Sequence, residues 1–321
     1  MSAGPSSPAH SASPRMQPRE VLVEPDRAGQ RLDNFLMYAL GDVPRSLVYR
    51  LIRTGQVRVN GGRVKPMRKL ITGDRVRIPP MRYSDSASKK VPSKVIEQIR
   101  ASIVHRQPEL IVVDKPTGLA SQAGSGLSWG LNDVMAAIDA EALPVHRLDR
   151  QTSGLMVFAR GRSAAKALQA AFSADPAAAA AEKRYFALLC GHLPQQRVDV
   201  DQPLKKIRDR SGQHRVVVAD SDDPDGQHAR SSFYRLERLP KHDFVEVRIE
   251  TGRTHQIRVH AAALGCPLLG DDRYNPDAEA AAASRLFLHA GVLRLPWPMD
   301  QVFHAALPTE LNDVLDCLRG K

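Results

Sequence analysis

The stretch His146-Arg147-Leu148-Asp149-Arg150-Gln151-Thr152-Ser153-Gly154 sets one carboxylate between two arginines, directly before an apolar run. Flanking cations favour the ionised form of a carboxyl group, so Asp149 is a candidate nucleophile or electrostatic stabiliser. The same arrangement also suits a loop held by exposed ion pairs, which contribute little to stability. A second polar block runs from Thr251 through Gly252, Arg253, Thr254, His255, Gln256, Ile257 and Arg258 to His260. If a helix begins near Thr254, then Thr254 and Arg258 share a face, and Arg258 can turn inward toward a buried carboxylate such as Asp149. A phosphate-gripping turn at Thr251-Gly252-Arg253 is the competing use. In the third block, Lys183-Arg184-Tyr185, the tyrosine heads an apolar run and serves either core packing or a ring facing a base.

Other chemistries fail on the residues. His146-Arg147-Leu148-Asp149 resembles a kinase catalytic loop, but Leu148 intrudes, and Asp243-Phe244 is followed by valine rather than glycine. The glycines at 124, 126 and 130 do not fit a dinucleotide fingerprint. Cys190, Cys266 and Cys317 lie far apart without a CxxC pair, so neither a disulfide framework nor a zinc site is expected. No metal and no cofactor are anticipated.

The elements that must position these blocks fall into two groups. Leu32, Phe35, Leu36 and Leu40 recur at helical spacing, and Pro44 opens a second helix whose apolar face is Leu47, Val48, Leu51 and Ile52. Gly55 ends it; Val57 and Val59 alternate, and Asn60-Gly61 and Gly73-Asp74 mark turns before Val76 and Ile78. Beyond about residue 103 the chain alternates irregularly. Strands are expected at Leu110–Val113, Gly154–Ala159, Tyr185–Leu189 and Val245–Ile249, and helices at Ser163–Ala174 and Thr254–Leu264. Without a regular βαβ period, a mixed α+β sheet is favoured over a doubly wound one. The Ser-, Pro- and Ala-rich residues 1–18 read as a disordered tail, and the polar, proline-bearing stretch from Pro79 to about Gln98 as a linker.

Charge adds direction. Of the net +11, residues 1–90 hold 17 Lys or Arg against 7 Asp or Glu, while the remainder is nearly balanced at 29 against 28. Between Arg45 and Arg82 eleven basic residues face a single acid, Asp74, and Arg45, Arg50 and Arg53 sit on or beside the second helix, away from its apolar stripe. Solvated faces usually mix both signs, so this bias points to a phosphate backbone. Aromatic residues at 5% argue against binding that rests on many stacked bases. No apolar run nears the roughly 20 residues of a membrane span, and no secretory signal opens the chain, so a cytoplasmic location without a membrane is expected.

Together, HRLDRQTSGLMVFAR at 146–160, IVVDKPTGL at 111–119, KRYFALLCG at 183–191, TGRTHQIRVH at 251–260 and LHAGVLRLP at 288–296 resemble, in order, the blocks of the pseudouridine synthases that modify ribosomal and transfer RNA. The segment from RLDNFL to GDRVRIPP is similar to an RNA-binding domain of the ribosomal-protein-S-four type. One departure is Ser121-Gln122, where many relatives carry a histidine. The resemblance covers residues 20–320 and implies an α+β fold, with a catalytic domain built on a mixed, largely antiparallel sheet and preceded by a small α/β RNA-binding domain. It implies a tail at 1–18, the RNA-binding domain at 19–82, a linker at 83–102 and the catalytic domain at 103–321.

Within the family the resemblance leans to the enzymes of large-subunit ribosomal RNA, which would be the partner of a monomeric, cofactor-free isomerase with no protein partner. It implies Asp149 as the essential carboxylate, Tyr185 stacked on the uracil and taking the C5 proton, and Arg258 paired with Asp149. Arg147 would contact the RNA or help open the target pair, with Arg45, Arg50, Arg53 and Lys115 as further RNA contacts. A binding-only protein of the same fold and an enzyme acting on another RNA are the competing readings. The intact set of Asp149, Tyr185 and Arg258 weighs against the first.

Overall fold

The computed structural model describes residues 15–40, 43, 45–82, 91–123, 129–173, 180–208, 214–275 and 284–320. Most of the expected tail, part of the linker, the loop at 124–128, the alanines at 177–179 and the Arg45 side chain lie outside the described residues. The chain divides into two compact units, 1–90 and 91–321.

The first unit contains β1 (Arg15–Met16), β2 (Arg19–Leu22), α1 (Leu32–Leu40), α2 (Arg45–Arg53), β3 (Arg58–Val59), β4 (Arg75–Ile78) and β5 (Met81–Arg82). Strands β2, β4 and β3 form an antiparallel sheet in that order, and β1 pairs with β5. Leu32, Phe35 and Leu36 from α1 meet Val48, Leu51 and Ile52 from α2 over Val57, Val59, Val76 and Ile78. Full burial of each large side chain contributes about 1.5–3 kcal/mol, enough to hold so small a module. Gly55, at φ +71°, stops α2 in a left-handed turn that a side chain would strain. Asp74 is buried and accepts bonds from Asn60 Nδ2 (2.7 Å), the Ile71 N–H (3.1 Å) and Arg68 (3.3 Å). The only acid in 45–82 is thus consumed inside, and apart from Arg68 the bases of that stretch have no acid of their own segment to neutralise them.

The second unit runs α3 (Ser93–Ala101), β6 (Ile103–Arg106), β7 (Leu110–Lys115), α4 (Leu131–Ile138), β8 (Ala142–Pro144), β9 (Ser153–Arg160), α5 (Arg162–Phe172), β10 (Glu182–Cys190), β11 (Arg197–Asp201), β12 (Leu204–Arg208), β13 (His214–Val218), β14 (Arg230–Arg238), β15 (His242–Ile249), α6 (Gln256–Ala263), β16 (Leu288–Leu295), β17 (Gln301–His304) and α7 (Thr309–Leu318). Its main sheet orders as β11-β14-β15-β10-β16-β9-β7-β6, with β17 on β16 and β8 on β9. Among the described pairings only β16 with β9 is parallel, so the sheet is mixed and mostly antiparallel. β12 and β13 form a separate hairpin.

The central strand β9 is buried on both faces: Met156 and Phe158 enter one core cluster, Leu155, Val157 and Ala159 another, beneath α5. That is the period-two signature of a strand covered on both sides. Gly154, at φ +112°, lets β9 approach β16, since a Cβ there would lie 2.3 Å from the Ala290 carbonyl oxygen.

Two expectations change. Ser93–Ala101 is a helix, not linker, because Ile99 is buried and Val95 and Ile96 pack on the main core. The helix expected from Thr254 starts at Gln256, because His255 takes a left-handed conformation at φ 55°. No helix among the described residues is long and apolar enough to cross a membrane.

Candidate active site

Asp149 lies in the loop between β8 and β9, and that loop is held by its main chain. The Ser121 hydroxyl donates to the Leu148 carbonyl (2.6 Å) and accepts the Leu148 N–H (3.1 Å). The Thr117 hydroxyl donates to Gln151 O (2.8 Å), and the Gly118 N–H to Arg150 O (2.8 Å). Ser121, the departure from the family pattern, therefore fixes the residue before the carboxylate. Lys115 is not an RNA contact. It is fully buried, and its Nζ donates to Pro116 O (3.0 Å) and Leu119 O (2.9 Å) and reaches Arg150 O at 3.5 Å. Burial pulls its pKa down to about 7, against the opposing charges of Asp149 and Asp114. Its work is to hold the carbonyls around the loop.

The carboxylate itself meets the start of α6. The His255 N–H donates to Asp149 Oδ2 at 3.2 Å, and the left-handed backbone of His255 aims that N–H. Gln256 stabilises the turn: its Oε1 accepts from the Thr251 hydroxyl (2.8 Å) and the Arg253 N–H (3.0 Å), and its Nε2 donates to Arg230 O (2.9 Å). The turn is thereby built around an amide, and the Arg253 Nε is engaged with His228 O (2.9 Å).

Asp149 lines a pocket of about 490 Å³ with Arg147, Thr152, Tyr185, His255, Arg258 and Leu288, and it is the only acid among the described lining residues. Tyr185 comes from β10, opposite Ala290 of β16, and is mostly buried. Burial, and the Asp149 charge beside it, raise its pKa, so the phenol stays protonated at neutral pH. A protonated phenol suits stacking better than it suits proton abstraction. Arg147 is exposed at the rim, as its expected RNA contact requires.

Arg258 faces the pocket, but its partner differs from the expected one. Its Nε donates to Asp271 Oδ2 (2.8 Å) and an Nη to Asp271 Oδ1 (2.6 Å), with Asp272 Oδ1 at 3.1 Å. Among the described residues it makes no ion pair with Asp149, which it reaches only through its field. Burial opposes ionisation of Asp271, but the Arg258 fork and the N–H groups of Arg273 and Tyr274 hold its carboxyl below the usual range. The fork–fork geometry explains the preference: Asp271 offers two oxygens in plane to an arginine that is 2% exposed.

His146 is structural. Its Nε2 accepts the Val157 N–H (2.8 Å), and its ring stacks on Phe172 at 4.2 Å. Burial, reinforced by Lys183, lowers its pKa to about 3, so it stays neutral. A second groove, of about 1030 Å³, shares Asp149, His255 and Arg258 and adds Arg150, Arg273 and Arg285. In the first unit, exposed Arg50, Arg53, Arg63 and Lys65 line a groove of about 1130 Å³ with Tyr49. Of the residues given no role in the sequence, His255 lies inside the block TGRTHQIRVH, where the His255-Gln256 pair carried a signal, while Asp271 and Tyr274 lie between that block and LHAGVLRLP.

Known proteins are similar to this chain over most of its length. Residues 109–263 match the family model described as RNA pseudouridylate synthase, and residues 30–77 match the S4 domain. The chain is 38% identical over 313 residues to the ribosomal large subunit pseudouridine synthase C of Vibrio vulnificus (strain CMCP6), covering 93% of this chain and 96% of that one. The protein of the same name from Yersinia pestis is 38% identical over 288 residues, 87% and 88% of the two chains. Among solved structures, the human RNA pseudouridylate synthase domain containing 4 superposes with a TM-score of 0.59 at 24% identity, over 70% of this chain and 96% of that one. The fold is shared.

Proposed function

This chain belongs to the RNA pseudouridylate synthase family and is an RNA pseudouridine synthase, and we propose that it isomerises uridines of large-subunit ribosomal RNA with Asp149 as the essential carboxylate. The observation that carries the residue assignment is a single carboxylate in a pocket otherwise lined by neutral and cationic side chains. Isomerisation breaks the N1–C1′ bond, turns the uracil, joins C5 to C1′ and moves the C5 proton off while N1 gains one. Charge develops at the sugar as in glycoside cleavage, where two carboxyl groups serve because water must also be activated. An isomerase keeps its leaving group, so one carboxylate suffices and no cofactor is needed.

Two routes fit that carboxylate. Asp149 attacks C1′ and forms an ester that the rotated uracil displaces, or it removes the 2′ proton to give a glycal to which the uracil re-adds. A primary isotope effect with 2′-deuterated uridine selects the second, and its absence the first. In either route the His255 N–H orients the Asp149 carboxylate, and the Arg258 charge stands near it. Tyr185 stacks on the flipped uracil, and Arg147 occupies the gap or meets the backbone. Residues 19–82, with Arg50 and Arg53 exposed, supply RNA affinity, while residues 103–321 supply the chemistry, in a monomer acting in the cytoplasm.

The experiment is tritium release from C5-labelled uridine in an unmodified large-subunit rRNA transcript. Wild type should release label, and Asp149→Asn, which keeps the side chain's shape, should be slower by at least ~10²-fold. Near-normal turnover by Asp149→Asn would remove the carboxylate from the mechanism. Release only from a different RNA would overturn the substrate.

A further inference from the structure

The hairpin β12–β13 carries Lys206, Arg208, His214 and Arg215 on exposed positions. Its base packs on α6: Leu204 and Val216 share a buried cluster with Val259 and Tyr274, with Ala262 against it. Tyr274 makes the polar link. Its hydroxyl accepts the Val216 N–H of β13 (3.2 Å) and meets His255 Nδ1 at 2.9 Å. The guanidinium groups of Arg215 and Arg258 lie 5.4 and 5.2 Å from the centre of its ring. The neighbouring Arg273 donates to the His214 carbonyl (3.1 Å), and both Arg273 and Tyr274 rest their N–H groups on Asp271 Oδ1. One short turn therefore touches the hairpin, His255 and the Arg258–Asp271 pair.

The direction of the bonds is set by chemistry. Among the described residues the Tyr274 hydroxyl has His255 Nδ1 as its acceptor, so it donates there and the imidazole proton sits on Nε2. Burial, with Arg258 and Arg273 nearby, keeps His255 neutral, which matches an accepting Nδ1. The same His255 gives its main-chain N–H to Asp149. A displacement of β13 is thus passed, through one hydroxyl, to the residue that holds the carboxylate.

We propose that Tyr274 is a positioning residue that couples RNA engagement by the basic hairpin β12–β13 to the placement of Asp149. This deepens the function proposed above and rests on it. RNA phosphates held by Lys206 and Arg208 settle β13, Tyr274 settles His255, and the carboxylate is then held in its working geometry.

The test is a cycle on the same rRNA transcript, with RNA dissociation constants and single-turnover tritium release measured at saturating enzyme. The proteins are wild type, Tyr274→Phe, the hairpin variant Lys206→Ala/Arg208→Ala, and their combination. Tyr274→Phe keeps the ring and removes the hydroxyl; its affinity should stay within about twofold of wild type while the rate falls about tenfold. The hairpin variant should lose both affinity and rate. In the combination the affinity loss should persist, while the rate falls no further than in Tyr274→Phe alone. His255→Asn gives a second break in the same link, since asparagine tolerates the left-handed backbone and keeps the N–H, and it carries the comparison if Tyr274→Phe does not fold. Rate losses that multiply, or a Tyr274→Phe effect confined to affinity, would overturn the coupling while leaving the reaction standing. Absence of turnover by wild type would overturn the reaction and the coupling with it.

Discussion

Replacing Arg258 and Asp271, singly and together, separates the pair seen in the structure from the Arg258–Asp149 pair expected in the sequence. Arg258 is 2% exposed and Asp271 fully buried, joined by two bonds of 2.8 and 2.6 Å. Removing one member of such a pair strands the other as a buried charge and costs about 3–5 kcal/mol. Arg258→Met should fall within that range. Asp271→Leu should fall near its lower end, about 3 kcal/mol, because Asp272 still reaches Arg258 at 3.1 Å. The double variant leaves no buried charge; its loss is the acceptor of the Arg273 and Tyr274 N–H groups, about 2 kcal/mol. The single costs sum to roughly 6–8 kcal/mol, so the coupling should be about 4–6 kcal/mol. At roughly 2–4 °C per kcal/mol for a unit of this size, each single variant should melt about 6–20 °C lower. Urea unfolding followed by circular dichroism reads the cycle, and tritium release from the folded double variant should be lost because the cation near Asp149 is gone. Additive costs, with Asp271→Leu near neutral, would refute the reasoning and return Asp149 as the partner of Arg258.

Three further outcomes are expected. Gly154→Ala places a Cβ 2.3 Å from Ala290 O at φ +112°, which should cost about 4 kcal/mol in thermal unfolding, while Gly252→Ala, with open space around it, should not change the melting temperature; equal melting of the two would refute the close-approach argument. Burial lowers His289 to about 4 from 6.5, and the Ala305 carbonyl only partly opposes this, so the unfolded chain takes up the proton first as pH falls. Stability present above pH 6.5 should therefore decline by about 3 kcal/mol toward pH 4, and His289→Gln should flatten that slope in pH-dependent urea midpoints; an unchanged slope would exclude His289. Arg50→Ala, Arg53→Ala and Arg63→Ala combined should lower the slope of log affinity against log salt by about 2 for RNA, and a fall in affinity with the slope intact would argue against phosphate contacts.

Much of this was legible from residue spacing. The apolar faces of α1 and α2 follow directly from period, and the continuous apolar run of β9 reads as a strand whose burial on both faces the structure supplies. Asp149, Tyr185 and Arg258 do line one pocket. What escaped depended on three-dimensional context. Lys115 reads as a surface base until the carbonyls of Pro116, Leu119 and Arg150 are seen to converge on it. The polar surroundings of Val95, Ile96 and Ile99 hide a helix whose apolar side is decided by a distant core. Asp271 outcompetes Asp149 for Arg258 because a turn 13 residues on brings two oxygens into plane with the guanidinium, a geometry no spacing rule encodes. His255 stands in a quoted block beside Gln256, but its residue type does not announce the left-handed backbone that aims its N–H, which becomes visible only once the turn closed by the Gln256 amide is seen.

The anchoring of residues 148–151 by their carbonyls and N–H groups bears on how the natural targets could be found. Ser121, Thr117, Gly118 and Lys115 all grip the loop's peptide groups, leaving the Asp149 carboxylate out of its scaffolding. An Asp149→Asn protein should therefore retain a native groove and dwell on its uridine without converting it. Such a silent form is a capture reagent: photocrosslinked in cells and sequenced at the stall positions, it would report which nucleotides the living enzyme visits, a map that a turning-over enzyme erases by leaving.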